Sequence, residues 1–462
     1  MAAAGIIWLA IGAASFLYGG AVWEHWLPCL AAILLASAAA AVSVRAEAWP
    51  RLGRLPAIAL GVVLAVAAGQ LVPLPESVLK GLSPVRAEDE QLFFSSVLAR
   101  PGPAAITVSP AESLRWTLTL AGLAAVFFAA RLTLRKAPER VWRAAVPLLI
   151  LGGFQALLGL AQIYFAGQPL ATGTYVNRNH FAGLLEMALP FAAMGGVAVL
   201  DGRRRRRLTV RRAVAASGLF ALGALMLAAI IQSLSRAGFS FALVSLAVMG
   251  GVALAGPRSS AGWKRRAPVA AVGIAAAAAF VFLPTDPLIY RFGALAATEE
   301  ISADTRVQVW DDTVKLIGDY PAAGVGLGAY TAAIHRYQTA APMQTIGMAH
   351  NDYLQLGAEL GLPALAALLM LAGWCLRSAA KAATDAEPRR RRLGLACLGA
   401  LAALALHSLV DFNLYLPANA AVLAWIAGLA TVLPSLPAPL PRRSRRVPVP
   451  PPVFEAEPLP PR

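Results

Sequence analysis

The sequence predicts an all-α polytopic membrane protein with about twelve transmembrane helices. Of its 462 residues, 58% are hydrophobic and only 14% are charged. The hydrophobic residues occur in runs of about 18 to 25, which is the length that an α-helix needs to cross a bilayer. Most runs show neither the period of an amphipathic helix nor the alternation of a strand, which argues against a water-soluble chain of several domains.

Twelve hydrophobic runs are candidate spans, and each boundary carries an error of several residues. The first run lacks the basic flank of a signal peptide and is long enough to span, so we interpret it as a retained helix. Together the runs predict one bundle over residues 1–433, with long extracytoplasmic loops at 75–112 and 285–352. The predicted spans are 3–22, 26–43, 54–74, 113–132, 141–165, 180–200, 213–233, 238–256, 267–284, 353–376, 393–411 and 414–433.

Basic residues predict the orientation, because short loops rich in Lys and Arg remain in the cytoplasm. One alternate set of loops, together with the C-terminal tail, holds 30 of the 40 Lys and Arg residues. Both termini are therefore expected in the cytoplasm. The run "RRRRR" at 203–207 fills a short loop, so we interpret it as an anchor to membrane lipids rather than a nucleic-acid site. Residues 434–462 hold 11 of the 33 prolines, which predicts a disordered tail.

With this orientation, four polar segments fall at the outer ends of helices or in outer loops. They are "GTYVNRNHFAG" (173–183), "SLSRAG" (233–238), the stretch 286–352 and "HSLVDFN" (407–413). We therefore expect a reaction site at the outer membrane–water boundary, where a lipid-borne and a water-borne substrate meet. The alternative is a twelve-span transporter of a lipid-linked or polar solute, which would require polar residues near mid-helix in both halves.

The longer outer loop contains a predicted helix with Arg306 in its first turn. "YPAAGVGLGAY" (320–330) follows it, and no strand precedes these glycines as it would in a nucleotide-binding loop. We interpret the glycines as turn and close-packing residues. The apolar face of the helix is predicted to comprise Val307, Trp310, Val314 and Ile317.

These motifs together resemble the O-antigen ligase and O-antigen polymerase superfamily. The resemblance covers about residues 110–430 and rests on "NRNHFAG", "SRAG", "TRVQVW" with "YPAAGVGLGAY", "HNDYLQLGAELGLP" and "HSLVDFN", in this order. It implies a glycosyltransferase of the GT-C type in the bacterial inner membrane, with its active site facing the periplasm. The implied donor is a glycan on a polyprenyl diphosphate such as undecaprenyl diphosphate. The implied acceptor is a hydroxyl of lipid A core or of another glycan, and neither a cofactor nor a metal ion takes part.

The resemblance places the functional residues of the family on Arg236 of "SRAG", Arg306 of "TRVQVW" and His350. Guanidinium groups match the phosphate oxygens of a diphosphate leaving group and remain ionised at neutral pH. His350 is expected to act as a general base, to bind phosphate as a cation, or to hold the acceptor. The alternatives are a snorkelling residue for Arg236, a solvated helix face for Arg306 and a helix cap for His350.

Further polar residues are predicted to bind the substrates. Glu186 is a rival for the general base, because an ionisable group just inside the membrane is a functional candidate. Glu359 and Asp411 are weaker rivals. The motifs do not distinguish a ligase from a polymerase, since only the acceptor differs. The substrate-binding candidates are Asn177, Arg178, Asn179, His180, Glu186, Asn351 and Tyr353, and an Asn-rich helix cap is the alternative for the first four.

Overall fold

A computed structural model describes residues 2–43, 51–96, 102–201, 209–255, 303–340 and 343–437, and no strand occurs in these ranges. The predicted ninth span at 267–284, the "RRRRR" run and most of the predicted tail lie outside them. The described helices are α1 (Ala2–Phe16), α2 (Trp23–Ser43), α3 (Arg54–Gly69), α4 (Glu76–Leu82), α5 (Pro84–Ser96), α6 (Pro110–Lys136), α7 (Val146–Tyr164), α8 (Arg178–Leu200), α9 (Val210–Gln232), α10 (Arg236–Ala255), α11 (Ala303–Asp319), α12 (Tyr330–Ile334), α13 (Asp352–Ala382), α14 (Pro388–His407) and α15 (Pro417–Val432).

Eight of the described helices are long and apolar enough to cross a membrane. They confirm the all-α polytopic class, whereas the count of about twelve spans stays a prediction. Helices α1 and α3 are apolar but shorter, with 15 and 16 residues. Helix α14 begins with four consecutive arginines, Arg389–Arg392, after Pro388. The predicted loop at 75–112 contains the two short helices α4 and α5.

Helix α8 forms the centre of the bundle, and every residue from 179 to 192 is buried. It packs against α9 and α14, while α15 packs against α6. Small residues permit this close approach, as they do at helix interfaces in membranes generally. A Cβ added at Gly428 of α15 would lie 2.5 Å from the backbone oxygen of Phe127 in α6.

One end of the bundle collects the polar motifs, and we call it the site end. The hydroxyls of Ser15, near the end of α1, and Tyr175, before α8, lie 3.1 Å apart. The side chain of Asn419, in the first turn of α15, donates to the backbone oxygen of His180 at 2.9 Å. The amide of Asp352, at the start of α13, donates to the backbone oxygen of Ser408 after α14 at 2.8 Å.

The opposite end of the bundle carries basic residues in well-defined contacts. Arg392, near the start of α14, pairs with Asp201 at the end of α8 at 2.8 Å. Arg212, in the first turn of α9, donates to the backbone oxygens of Val199 and Leu200 at 2.7 and 2.9 Å. Basic residues at one end of a helical membrane protein are typical of the cytoplasmic side.

Helix α13 is broken at Gly361, whose φ of 78° is left-handed. Pro363 lacks an amide hydrogen and disfavours a helical conformation in the residue before it, so the break has a local cause. The loop after α11 fills the break. Leu362 donates its amide to the oxygen of Pro321 at 2.8 Å, and Gly326 donates to the oxygen of Glu359 at 3.1 Å.

The interpretation of the three spaced glycines as turn and close-packing residues is confirmed. Gly324, Gly326 and Gly328 have φ angles of 66°, 109° and 82°, which residues other than glycine rarely adopt. A Cβ on Gly326 would lie 2.1 Å from Oγ1 of Thr107, and one on Gly328 would lie 2.1 Å from Cδ1 of Trp116. The loop therefore has no room for any side chain at these positions.

Gly326→Ala is accordingly expected to destabilise the protein by roughly 2–6 kcal/mol through backbone strain and steric overlap. The matched control is Gly318→Ala in α11, where an added Cβ would meet no described atom within 4 Å. Thermal aggregation midpoints of the two variants in detergent provide the measurement. Equal midpoints would contradict the close packing of the loop.

The predicted apolar face of α11 is wrong in part, although the helix itself is confirmed. Val307 and Val314 are 52% and 56% exposed, whereas Val309 and Leu316 are buried. Asp312 and Thr313 are also on the buried face. Asp312 accepts the amides of Thr339 and Ala340 at 2.6 and 3.1 Å. Hydropathy alone misassigned the face because these buried polar side chains are satisfied by distant segments.

Candidate active site

The polar motifs of the site end meet around Asp411, which lies in the turn between α14 and α15 and is 1% exposed. Three imidazoles face its carboxylate. His180 Nε2 and His350 Nδ1 lie 3.7 and 3.8 Å from Oδ1, and His407 Nε2 lies 3.9 Å from Oδ2. These separations exceed hydrogen-bond length. In a buried site, however, charges and dipoles still interact appreciably at this distance.

The ionisation of Asp411 follows from these neighbours. Burial alone would raise its pKa, but His180 and His350 face the carboxyl and hold its pKa well below the usual range. Asp411 is therefore a fixed negative charge at neutral pH.

An aromatic ring fixes the orientation of two of these imidazoles. Phe412 packs edge-on against His180 and His350, with ring centroids 4.5 and 4.9 Å away. Because Phe412 directly follows Asp411, the same turn supplies both the carboxylate and the ring that contacts the two histidines. The amide of Phe412 also donates to Oδ1 of Asp411 at 2.8 Å.

His350 lies two residues before α13 and has a strained backbone conformation. Its φ is 51°, in the left-handed region that residues other than glycine seldom occupy. The interpretation of His350 as a helix cap is wrong, because Asn351 caps α13 by accepting the amides of Tyr353 and Leu354 at 3.0 and 3.1 Å. The imidazole is 14% exposed and turns towards Asp411. Backbone strain of this kind is concentrated at functional sites.

Arg306 reaches the same turn from α11. Its Nη1 donates to the backbone oxygen of Val410 at 3.1 Å, and its Nε has no hydrogen-bond partner among the described residues. One turn further along α11, Trp310 donates its Nε1 to the oxygen of Ala349 at 3.0 Å. Helix α11 thus contacts the residues immediately before both Asp411 and His350. The interpretation of Arg306 as part of a solvated helix face is wrong for this half-buried side chain.

Arg236 is exposed at the first residue of α10. The next residue, Ala237, packs in one cluster with Trp310 and Val410, so Arg236 lies on the same side of the bundle as Arg306. Leu234, two residues earlier, has a left-handed φ of 54°. The exposure of Arg236 is compatible both with the snorkelling interpretation and with binding of a charged substrate.

Two fully buried side chains, His407 and Glu186, form a pair next to Asp411. His407 Nδ1 lies 3.0 Å from Oε1 of Glu186, and neither side chain has any exposed surface. Glu186 therefore contacts the histidine rather than the rim of the site, and it reaches Asp411 only through His407. The sequence interpretation did not single out His407. Its spacing of four residues from Asp411 at a helix end is the signal that would have found it.

A second hydrogen-bond network holds the backbone of His180. Asn419 donates to the oxygen of His180, and Tyr175 donates its hydroxyl to Oδ1 of Asn419 at 2.9 Å. Asp352 performs the same task for the turn after α14, since its carboxylate accepts the amide of Leu414 at 3.2 Å. Neither Asn419 nor Asp352 was predicted to belong to the site. Their buried contacts make the positions of His180 and Asp411 rigid.

The remaining candidates have identifiable structural contacts, and their substrate-binding roles stay predictions. Asn177 caps α8 by accepting the amide of Asn179 at 2.7 Å, as the capping alternative proposed. Tyr353 donates its hydroxyl to the oxygen of Ala405 at 2.7 Å. Arg178 is half-buried at the first residue of α8, and Asn179 is buried.

Glu359 stabilises the loop at 320–330 that contains the three spaced glycines. Its carboxylate accepts the amides of Gly328 and Tyr330 at 2.6 and 3.3 Å and the hydroxyl of Tyr415 at 2.7 Å. These bonds occupy the carboxylate, which argues against Glu359 as a rival general base. Across the part of the chain that the structure describes, no group of three or more His, Cys, Asp or Glu residues is arranged to hold a metal ion.

Fold and site define a polytopic helical membrane protein with a buried His–Asp cluster at one end of its bundle. Residues 221–369, about a third of the chain, match the sequence profile of the family described as O-antigen ligase. This match supports the resemblance that the motifs showed to the O-antigen ligase and polymerase superfamily. The match includes Arg236, Arg306 and His350. No curated protein has a sequence that matches this chain significantly.

The family indicates a glycosyltransferase-type activity of an O-antigen ligase or polymerase, with a lipid-linked glycan and an acceptor as substrates in a membrane. The motifs "NRNHFAG" and "HSLVDFN" lie outside the matched residues. The structure nevertheless places His180 and Asp411 of these two motifs beside His350. The matched domain and the flanking helices therefore build one cluster.

Proposed function

We propose that this protein transfers a glycan from a polyprenyl diphosphate carrier in the outer leaflet of the bacterial inner membrane to an acceptor hydroxyl. The observation that carries the proposal is the approach of His350 and Arg306, both in the matched family domain, to the turn of Asp411. A general base and a guanidinium that approach the same turn suit this reaction. The acceptor must lose a proton while the carrier gains negative charge.

His350 is the general base in this proposal. Its Nδ1 faces Asp411, which leaves Nε2 to take the proton of the acceptor hydroxyl. The acceptor oxygen then bonds to the anomeric carbon as the bond from that carbon to the diphosphate oxygen breaks. Asp411 stabilises the imidazolium that forms, because it is a buried negative charge at short range.

The arginines bind the leaving group. Polyprenyl diphosphate departs with an added negative charge, and guanidinium groups bind phosphate oxygens strongly through charge-assisted hydrogen bonds. The half-buried side chain of Arg306, whose buried Nε has no hydrogen-bond partner among the described residues, and the exposed side chain of Arg236 are the groups assigned this role. Since the guanidinium groups supply the positive charge, the proposal needs neither a metal ion nor a nucleotide sugar.

The contacts at the opposite end support an extracytoplasmic active site. Arg212 and Arg392 lie there, among the loops that hold most of the basic residues. By the positive-inside rule, that end faces the cytoplasm together with both termini, and the site end faces the periplasm.

The test of the function is the length of the glycan on the polyprenyl carrier in cells that lack this gene. Long carrier-linked chains are expected if the protein is a ligase, because polymerisation then proceeds and the finished chain has no exit. Single repeats are expected if it is a polymerase. A carrier pool identical to that of the parent strain would contradict glycan transfer and favour the transporter alternative.

A further inference from the structure

A cavity of about 270 Å³ lies at the site end between α2, α6 and the start of α15. It is distinct from the His–Asp cluster, although the two are adjacent in the chain. The turn that carries Asp411 continues into Tyr415 and Pro417, which line the cavity. The other polar and aromatic lining residues include Trp23, Glu24, Glu112, Arg115 and Trp116.

The walls of this cavity combine aromatic faces with charged groups. The guanidinium of Arg115 lies 5.5 Å from the centroid of the Trp23 ring and pairs with Glu112 at 2.7 Å. The Arg115 and Glu112 side chains are 40% and 42% exposed, so both can still contact a ligand. Trp116 packs against Tyr415 with ring centroids 4.9 Å apart. Exposed Glu24 completes the polar rim.

The backbone beside the cavity forms a tight and closely packed turn. Tyr18, Gly19 and Gly20 have φ angles of 57°, 72° and 76°, three left-handed residues in succession. A Cβ on Gly19 would lie 2.7 Å from the ring of Tyr175. This turn leads directly into the segment with Trp23 and Glu24. Glycine adopts such angles readily, whereas the left-handed conformation of Tyr18 is strained, and strain of this kind clusters at functional sites.

The buried side of the cavity is also fixed. Trp26 donates its Nε1 to Oγ1 of Thr119 at 2.9 Å, which joins α2 to α6 across the floor of the cavity. The hydroxyl of Tyr415 donates to the carboxylate of Glu359 at 2.7 Å. The rings that line the cavity are therefore held before any ligand arrives, which reduces the entropy cost of binding.

We propose that this cavity is a saccharide subsite that binds one sugar residue of the glycan substrate, remote from the reacting carbon. Sugars present apolar C–H faces that pack on aromatic rings, and hydroxyl groups that hydrogen-bond to carboxylates and guanidinium groups. The volume is smaller than the roughly 300–1,000 Å³ typical of drug-sized ligands, and it suits a single ring. This inference rests on the proposed function, and it adds a recognition site to the transfer site.

The test compares Trp23→Ala and Trp23→Phe with the control Phe165→Ala. Phe165 follows α7 at the site end and is 90% exposed, so its loss removes an aromatic ring without touching the cavity. Trp23→Ala is expected to raise the KM for the carrier-linked glycan about tenfold with kcat nearly unchanged, and Trp23→Phe to retain most of the affinity. Kinetics like those of wild type in Trp23→Ala would overturn the subsite.

A binding measurement separates this inference from the proposed function. The probe is the glycan released from its carrier by mild acid, titrated into the inactive variant His350→Ala and followed by tryptophan fluorescence. Saturable binding that weakens about tenfold in the double variant with Arg115→Ala is expected. Equal binding by both proteins, or no binding by either, would overturn the subsite. Transfer by wild type in the same preparation shows whether the proposed function itself stands.

Discussion

His350→Ala is expected to reduce glycan transfer by about 10²–10⁴-fold, the usual contribution of a general base. The imidazole faces Asp411 because of its left-handed backbone and its contact with the ring of Phe412. Transfer by membranes that contain equal amounts of each protein is the measurement. Retention of a third or more of wild-type activity would exclude His350 as the base.

The matched control for this variant is His335→Ala. His335 lies in the same region between α11 and α13, but it is exposed and belongs to no motif. The account predicts wild-type transfer for this control. A second variant, Asp411→Asn, keeps the shape of the turn and removes its charge. Its transfer is expected to fall as well, because a neutral Asn cannot stabilise the imidazolium that forms at His350 during transfer.

Arg306→Ala is expected to lower kcat/KM by about 10²–10³-fold, as the loss of one group that stabilises developing charge usually does. Arg306→Lys should not restore activity. A lysine cannot both donate to Val410, as Nη1 does, and offer a second planar N–H to a phosphate oxygen. Initial rates at several concentrations of carrier-linked glycan separate kcat from KM.

Arg336→Ala is the matched control for Arg306→Ala. Arg336 is an exposed arginine of the same outer region and pairs with Asp89 at 2.8 Å, away from the Asp411 turn. Surface ion pairs contribute little to stability, so transfer should fall less than twofold. Equal losses in the two variants would point to a general requirement for positive charge rather than to a specific role of Arg306.

Much of the fold was accessible from the sequence because hydrophobic run length depends on the bilayer rather than on tertiary contacts. The starts of α8 and α13 were predicted to within two residues. The break of α13 was also available in principle, since Gly361 and Pro363 stand together, but the hydrophobic run continues through them. Hydropathy therefore predicted one uninterrupted span from 353 to 376.

The centre of the candidate site was less accessible, because it depends on contacts between distant segments. The motifs predicted which segments would meet, and His180, His350 and Arg306 do lie around one turn. They did not predict that Asp411 would be the common partner or that Glu186 would be paired with His407. A buried carboxylate and a buried histidine more than 200 residues apart carry no mutual signal in one sequence.

The most direct test of the central claim is transfer by the purified protein in liposomes that contain the carrier-linked glycan and an acceptor, with a chelator present. The account predicts release of polyprenyl diphosphate and a glycosylated acceptor from wild type, and neither product from His350→Ala. Undiminished transfer by His350→Ala would contradict the role of the Asp411 cluster. A strict need for a divalent ion or a nucleotide sugar would contradict the proposed reaction itself.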